Sequence, residues 1–306
     1  MRKINPHDQV VLNFAAVLAA AKPYGIQPVS YVEIVEGISN TVVFLTDQNN
    51  DNYFLKFYRS TYNEESISNE LRLVKALADA KLPVPPYIMP LDESKLPAYE
   101  DEHGRHLTTI TKKIPGRHPD QYSTTLIKDL GALHGATHRH SPVNDKVSGF
   151  NPGTFYSFMD LSPESDAWRV DQAVRAVFTS LDDTWSQLPA GIVPMDIKHD
   201  NVLCVDDTIT GLVDFADAMH APFIFCLASA LWDVLEMTND MELVTAYVRA
   251  YETQRPLSNL ERESLYATVL TRGWITLHGY LLTGQSEAVD RQVALLETYA
   301  DKPSPF

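Results

Sequence analysis

The sequence predicts an α+β fold of two unequal lobes, a small antiparallel-sheet lobe first and a larger helical lobe after it. Three observations carry this expectation. Between residues 31 and 58, three short runs rich in β-branched and aromatic residues are separated by tight turn sequences. From residue 125 onward the apolar spacing is mostly helical. Between the two regions Pro115-Gly116 halts a last strand-like run, which puts the joint at 112–116 and the lobes at 1–111 and 112–306.

The elements follow in order. Residues 8–22 read as a helix ended by Pro23 and Gly25. Residues 31–36, 41–46 and 53–58 read as strands joined by Gly37-Ile38-Ser39-Asn40 and by the polar run 47–52, which makes an antiparallel meander. Residues 64–80 carry Ile67, Leu71, Val74, Leu77 and Ala78 at helical spacing, and the proline-rich run 81–86 stops that helix. Residues 107–114 read as a further strand. Helices are then expected over 125–138 and 163–187, short strands at 201–205 and 211–215, and helices across most of 224–300.

Composition narrows the function classes. Of 306 residues, 44% are hydrophobic and 21% charged, an ordinary globular balance that excludes collagen, a rod or a disordered chain. With 25 Lys and Arg against 40 Asp and Glu, the net charge of -15 disfavours nucleic acid as a partner. Two cysteines, Cys204 and Cys226, make no disulfide framework. No apolar run reaches the ~18 residues of a membrane span. The stretch from Val10 to Ala21 follows Arg2 and Lys3, but Pro6, Asp8 and Asn13 break it, so a helix is expected there rather than a signal peptide. The expectation is a cytoplasmic protein with no membrane partner; the sequence leaves the oligomeric state open.

Chemistry concentrates at a few positions. Lys56 stands mid-strand among Phe54, Leu55, Phe57 and Tyr58, where a buried ammonium needs a partner. Glu70 lies on the following helix. Asp196 and Asn201 are five apart in a loop before a strand, and Asp214 ends the next strand, so a hairpin brings Asn201 and Asp214 together. Their oxygens suit Mg²⁺ bound to phosphate, and Asp196 can accept the proton of a hydroxyl. Each residue alone is as easily a solvent-facing or turn residue. Their order is more specific: a strand Lys, a helix Glu, Asp-x4-Asn and a strand-ending Asp-Phe form the set a phosphotransferase uses on ATP.

The chain resembles the aminoglycoside phosphotransferase and choline kinase superfamily of small-molecule kinases, most of all its homoserine-kinase-like branch. The resemblance spans nearly the whole chain. It rests on Gly37-Ile-Ser-Asn40-Thr41, Phe54-Leu-Lys56-Phe-Tyr58, Ile114-Pro-Gly116, Leu130-Gly-Ala-Leu-His134 and Tyr251-x3-Arg255-Pro-Leu257-x3-Glu261. The run 194–203 and Val213-Asp214-Phe215-x-Asp217-Ala218 are its most specific parts. It implies a two-lobed protein-kinase-like fold with ATP in the cleft. It further implies nucleotide contacts at Gly37, Ser39, Asn40, Lys56, Glu70, Lys112 and Ile114, metal ligands Asn201 and Asp214, and catalytic Asp196 and Lys198.

The function so implied is ATP- and Mg²⁺-dependent transfer of the γ-phosphate to a hydroxyl of a small metabolite, an amino acid or amino alcohol before an aminoglycoside, sugar or choline. A catalytically silent nucleotide-binding protein is the competing class, and it draws on three departures. The family usually has His-Gly where Pro194 and Met195 stand, and Asp where Cys226 stands, so both supports behind the catalytic loop are replaced. Lys198 matches the Asp-Leu-Lys order of protein kinases and is expected near the transferred phosphate. His134, His138 and His140 lack the intervening Glu of a His-Glu-x2-His site, so His134 is expected as a packed or pocket-wall residue and the other two as helix-end histidines. Trp232, Asp233, Glu236, Arg272, Trp274 and Tyr280 are expected in packing and salt bridges.

Overall fold

The computed structural model describes residues 10–34, 40–60, 62–143, 150, 152–154, 161, 163 and 165–306. The first helix, α1 (Phe14–Ala21), starts where the Asn13 side chain accepts the Ala16 N–H, and buries Val17, Ala20 and Ala21. Beside it lies one sheet made of β1 (Pro28–Ile34), β2 (Thr41–Asp47), β3 (Asn52–Phe57), β4 (Tyr87–Ile88), β5 (Ala98–Asp101) and β6 (Gly104–Lys112). Its order is β1-β2-β3-β6-β4, with β5 also pairing β6. The three-strand meander is therefore one part of a larger sheet. Residues 98–106 are mostly polar and charged, so no apolar alternation marks the β5–β6 hairpin, and β4 is two residues after a proline run. Expected strand residues 35 and 36, like Gly37 and Ser39, lie outside the described residues.

Antiparallel register sets Lys56 opposite Val42 on one side and Thr109 on the other. Tyr53, Leu55 and Phe57 are buried, joining Val17, Ala20, Ala21, Val43, Leu45 and Ile110 in one cluster. By the two-residue period of a strand, Lys56 leaves the opposite face. That face is met by α2 (Glu64–Asp79), capped by Asn63 and burying Ile67, Glu70, Leu73, Val74 and Leu77.

The second half holds α3 (Thr124–His140), α4 (Asp166–Thr179), α5 (Phe223–Thr238), α6 (Met241–Glu252), α7 (Asn259–Thr283) and α8 (Ser286–Tyr299). The expected helix 163–187 is shorter: Ser165 caps α4, and the run Asp182-Asp183-Thr184 replaces its last turns with tight turns. Two short antiparallel pairs stand among the helices, β7 (Ala190–Val193) with β10 (Met219–Pro222), and β8 (Val202–Val205) with β9 (Thr208–Leu212). The loops 194–201 and 213–218 are thus anchored at both ends. Asp214 does not end a strand; it lies beyond β9 at φ 58°, a left-handed conformation in which a short polar side chain is tolerated.

Two glycines set how closely α3 and α6 approach. A Cβ at Gly131 would fall 2.4 Å from the Tyr247 carbonyl oxygen, and one at Gly135 2.3 Å from that of Tyr251. Gly135→Ala should therefore force the helices apart. We expect a loss of about 1–3 kcal/mol, the usual cost of overpacking, read as a lower midpoint in thermal or urea denaturation.

Candidate active site

Lys56 carries the centre of the site. Its Nζ lies 2.9 Å from Asp214 Oδ1 and 3.7 Å from Glu70 Oε1. Burial by itself would lower its pKa, but the Asp214 and Glu70 carboxylates outweigh that and hold it well above the usual lysine value. Reciprocally, the Lys56 ammonium holds Asp214 below the ordinary carboxylate range. Half of the Asp214 side chain stays exposed, so one end of the pair faces open space.

Glu70 is fully buried and fixed by more than Lys56. Tyr58 donates to its Oε2 at 2.6 Å, and Tyr87 donates to Oε1. Burial first, then the neighbouring Glu70 charge, keeps both phenols protonated and so able to donate. Tyr58 also meets Thr109 Oγ1 at 3.1 Å. Sequence reasoning missed both tyrosines. Tyr58 was part of the lysine strand, and Tyr87 follows two prolines with no pattern that aims its hydroxyl at a helix.

Asp196 and Asn201 come together as expected. The Asn201 amide donates to the Asp196 carbonyl at 2.8 Å and to its Oδ2 at 3.1 Å. The Val213 N–H donates to the Asn201 carbonyl, locking the loop before β8 to the segment bearing Asp214. Lys198 Nζ lies 3.2 Å from Asp196 Oδ2, and its pKa, which burial would lower, is raised by Asp196. Asp217 accepts from Tyr62 at 3.1 Å. Desolvation, then the charges of Asp214 and Asp196, push its carboxyl above the ordinary value. Three carboxylates therefore crowd one small region around a single amide. With the Asn201 N–H₂ spent on Asp196, the amide oxygen and the Asp214 carboxylate are oxygen donors of the kind that could hold a hard divalent cation.

The remaining expected contacts are more mixed. Asn40 is buried, and its Oδ1 accepts the Arg59 N–H at 3.2 Å, so its side chain ties the start of β2 to the segment after β3. Lys112 ends β6 with an exposed side chain and its N–H on the Pro86 carbonyl. Ile114 packs its Cδ1 directly over Gly211, where no side chain would fit.

Behind the loop the replaced supports are visible. Pro194 is buried, Met195 and Ile197 belong to the large core, and Met195 stands at φ 67°, where the resemblance has a glycine. Cys226 is fully buried, and its sulfur accepts the Met195 backbone N–H. A second support is new. Asp233 Oδ1 meets His199 Nδ1 at 3.1 Å, while Asp233 Oδ2 accepts from Tyr122 at 2.6 Å. His138 lies in the last turn of α3, as expected, and is 1% exposed, packing beside His134. Trp232, Trp274 and Tyr280 are packed or bonded as expected, with Trp274 donating to Asp171 and Tyr280 to Glu236.

Residues 30–266 match the family described as "Phosphotransferase enzyme family". The chain belongs to this family. The homoserine kinase of Rhodospirillum rubrum is 29% identical over 252 residues, 78% of this chain and 75% of that one. That of Xanthobacter autotrophicus is 26% identical over 248 residues, 77% and 75% of the two chains. An amicoumacin kinase solved with AMP-PNP, Ca²⁺ and Ami superposes with a TM-score of 0.71 at 18% identity, covering 96% of both chains. A microcompartment-associated aminopropanol kinase gives 0.70 at 14% identity, covering 94% of this chain and 95% of that one. These neighbours share the two-lobed kinase-like fold expected from the sequence. Among the described residues no helix is long and apolar enough to cross a membrane.

The Asp233 hydrogen bond, ahead of its charge, raises the His199 pKa. A raised imidazole stabilises the fold fully below the unfolded value near 6.5, and that contribution fades as pH rises through the folded value. Asp233→Asn should bring the His199 midpoint down. A two-dimensional NMR titration of the ring protons reads this directly, and an unchanged midpoint would remove Asp233 as the cause.

Proposed function

We propose that this phosphotransferase moves the γ-phosphoryl group of ATP, with Mg²⁺, to the hydroxyl of a small amino acid or amino alcohol, homoserine first. The observation that carries the reading is the Lys56 ammonium held between Glu70 and Asp214, with Asp214 tied through Val213 and Asn201 to Asp196. One lysine thereby joins the sheet to both loops that bear the chemistry. The homoserine kinases similar over three quarters of the chain support the acceptor class.

The roles follow from the atoms present. Lys56 offers its ammonium to the nucleotide phosphates and Glu70 keeps it in place. Nucleotide would lie between the 1–111 and 112–306 lobes, against the turn containing Gly37, Ser39 and Asn40 and against the Lys112–Ile114 segment. Asn201 and Asp214 would hold the metal, which when bound would neutralise phosphate charge. Asp196, oriented by Asn201, takes the proton of the acceptor hydroxyl as its oxygen bonds to phosphorus and the bond to the ADP oxygen breaks. Lys198, beside Asp196, offsets charge on the transferred group. The three replaced residues at 194, 195 and 226 stand behind this machinery, none of them in contact with the phosphates on this reading.

An ADP-release assay with homoserine, 1-amino-2-propanol and an aminoglycoside tests the proposal. Homoserine or the amino alcohol should give turnover. Asp196→Asn should lower kcat by about 10²–10⁴-fold with nucleotide still bound, the usual worth of a positioned base. Asp214→Ala should abolish turnover with the fold intact. A folded, nucleotide-binding protein that releases ADP with none of the three acceptors would favour the silent reading instead.

A further inference from the structure

Behind the catalytic loop lies a cluster that the kinase reading does not use. His134 and His138 stand one turn apart on α3, and Cys226 faces them from α5. Their ligating atoms converge. His134 Nε2 is 3.1 Å from His138 Nε2 and 3.5 Å from Cys226 Sγ, and all three lie within 4.8 Å of one another. The residues are 0%, 1% and 0% exposed. Zinc bonds of about 2.0–2.1 Å to nitrogen and about 2.3 Å to sulfur put tetrahedral ligand atoms roughly 3.3–3.6 Å apart, close to the two separations that His134 Nε2 makes.

The atoms facing away from the convergence are also satisfied. His134 Nδ1 meets the Tyr247 hydroxyl at 2.9 Å, and His138 Nδ1 meets that of Tyr251 at 2.8 Å. Arg255 donates to the Tyr251 hydroxyl at 3.1 Å and is itself held by Glu261 at 2.8 Å. The Cys226 sulfur receives the Met195 N–H. Outer partners on the second nitrogen of both imidazoles are what a metal site requires, because they fix each ring's tautomer and aim its free nitrogen. The glycines of α3 make this possible by bringing the α6 backbone, and so Tyr247 and Tyr251, up against the two rings.

The geometry points to a Zn²⁺ site built from His134 Nε2, His138 Nε2 and Cys226 Sγ, buried between α3 and α5. The two imidazoles bind through neutral nitrogens, and the Cys226 thiol gives up its proton to solvent as the sulfur–zinc bond forms. Three protein donors account for three of the four positions zinc usually fills. The site would tie α3 to α5 and, through the Met195 N–H on the same sulfur, fix the start of the catalytic loop where the resemblance has an Asp–His contact. The sequence concealed it because the His pair has no intervening Glu and the third ligand is 88 residues beyond His138.

The competing arrangement is metal-free, with the same atoms linked as a chain of hydrogen bonds. Elemental analysis of untagged protein folded with Zn²⁺ and then dialysed separates the two. One zinc per chain is expected, and the Co²⁺-substituted protein should show a thiolate-to-cobalt charge-transfer band. Cys226→Ser should lose that band, and His138→Gln should bind zinc more weakly by at least the roughly 10–100-fold seen for outer partners alone. Circular dichroism would verify that each variant is folded. A zinc-selective chelator should lower the melting temperature of the wild type without nucleotide. If folded wild-type protein holds no zinc above background and its melting temperature ignores both zinc and chelator, the site does not exist. If either folded variant keeps the same zinc affinity, the ligand assignment is wrong. Should a variant fail to fold, the wild-type zinc content and cobalt spectrum decide alone.

Discussion

One largely covered ammonium organises this molecule. Lys56 sits in a strand whose neighbours are apolar, and a charge there is tolerable only if carboxylates replace its lost water. The two that do so come from distant parts of the chain, Glu70 on α2 and Asp214 beyond β9. Satisfying Lys56 therefore sets where α2 rests on the sheet and where the loop 213–218 must run. The left-handed backbone at Asp214 becomes intelligible in that light, because the side chain is delivered to the ammonium by a turn that few residues adopt readily.

Much of this was legible in the sequence, and unevenly so. Lys56, Glu70, Asp196, Asn201 and Asp214 were singled out by residue type and order, and the structure brings them together. The principal helices were found because apolar spacing records which face is covered. What escaped shares a different cause. Tyr58, Tyr87 and Tyr122 act through a hydroxyl at the end of a long apolar ring, and composition cannot say which way such a ring points. The β5–β6 hairpin escaped because its residues are polar. The helix-end place of His138 was legible, but not its burial, because position late in α3 says nothing of what covers that end, which is Phe223 and Tyr251.

The support of the catalytic loop shows how one mechanical task can pass between unlike residues. Where the resemblance has histidine and glycine, this chain has a proline with a fixed φ and a methionine forced to a positive one. Burial of Met195 and Ile197 opposes the strain that φ 67° imposes on a side chain larger than glycine. Asp233 adds a polar tether at the far end of the same loop, through both the His199 ring and its N–H. The loop is thus held by apolar contact at its start and by a carboxylate near its end.

The clamp on Glu70 bears on how such an enzyme is governed. Many two-lobed kinases are regulated by swinging the glutamate-bearing helix away from its lysine. Here two phenols from separate strand ends grip the carboxylate within a closed interior. Swinging α2 outward would strip three partners from a buried acid at once, a cost on the order of several kcal/mol that no small conformational trigger supplies. A carboxylate held by Tyr58, Tyr87 and Lys56 together fixes its helix against the sheet more firmly than the lysine contact alone would.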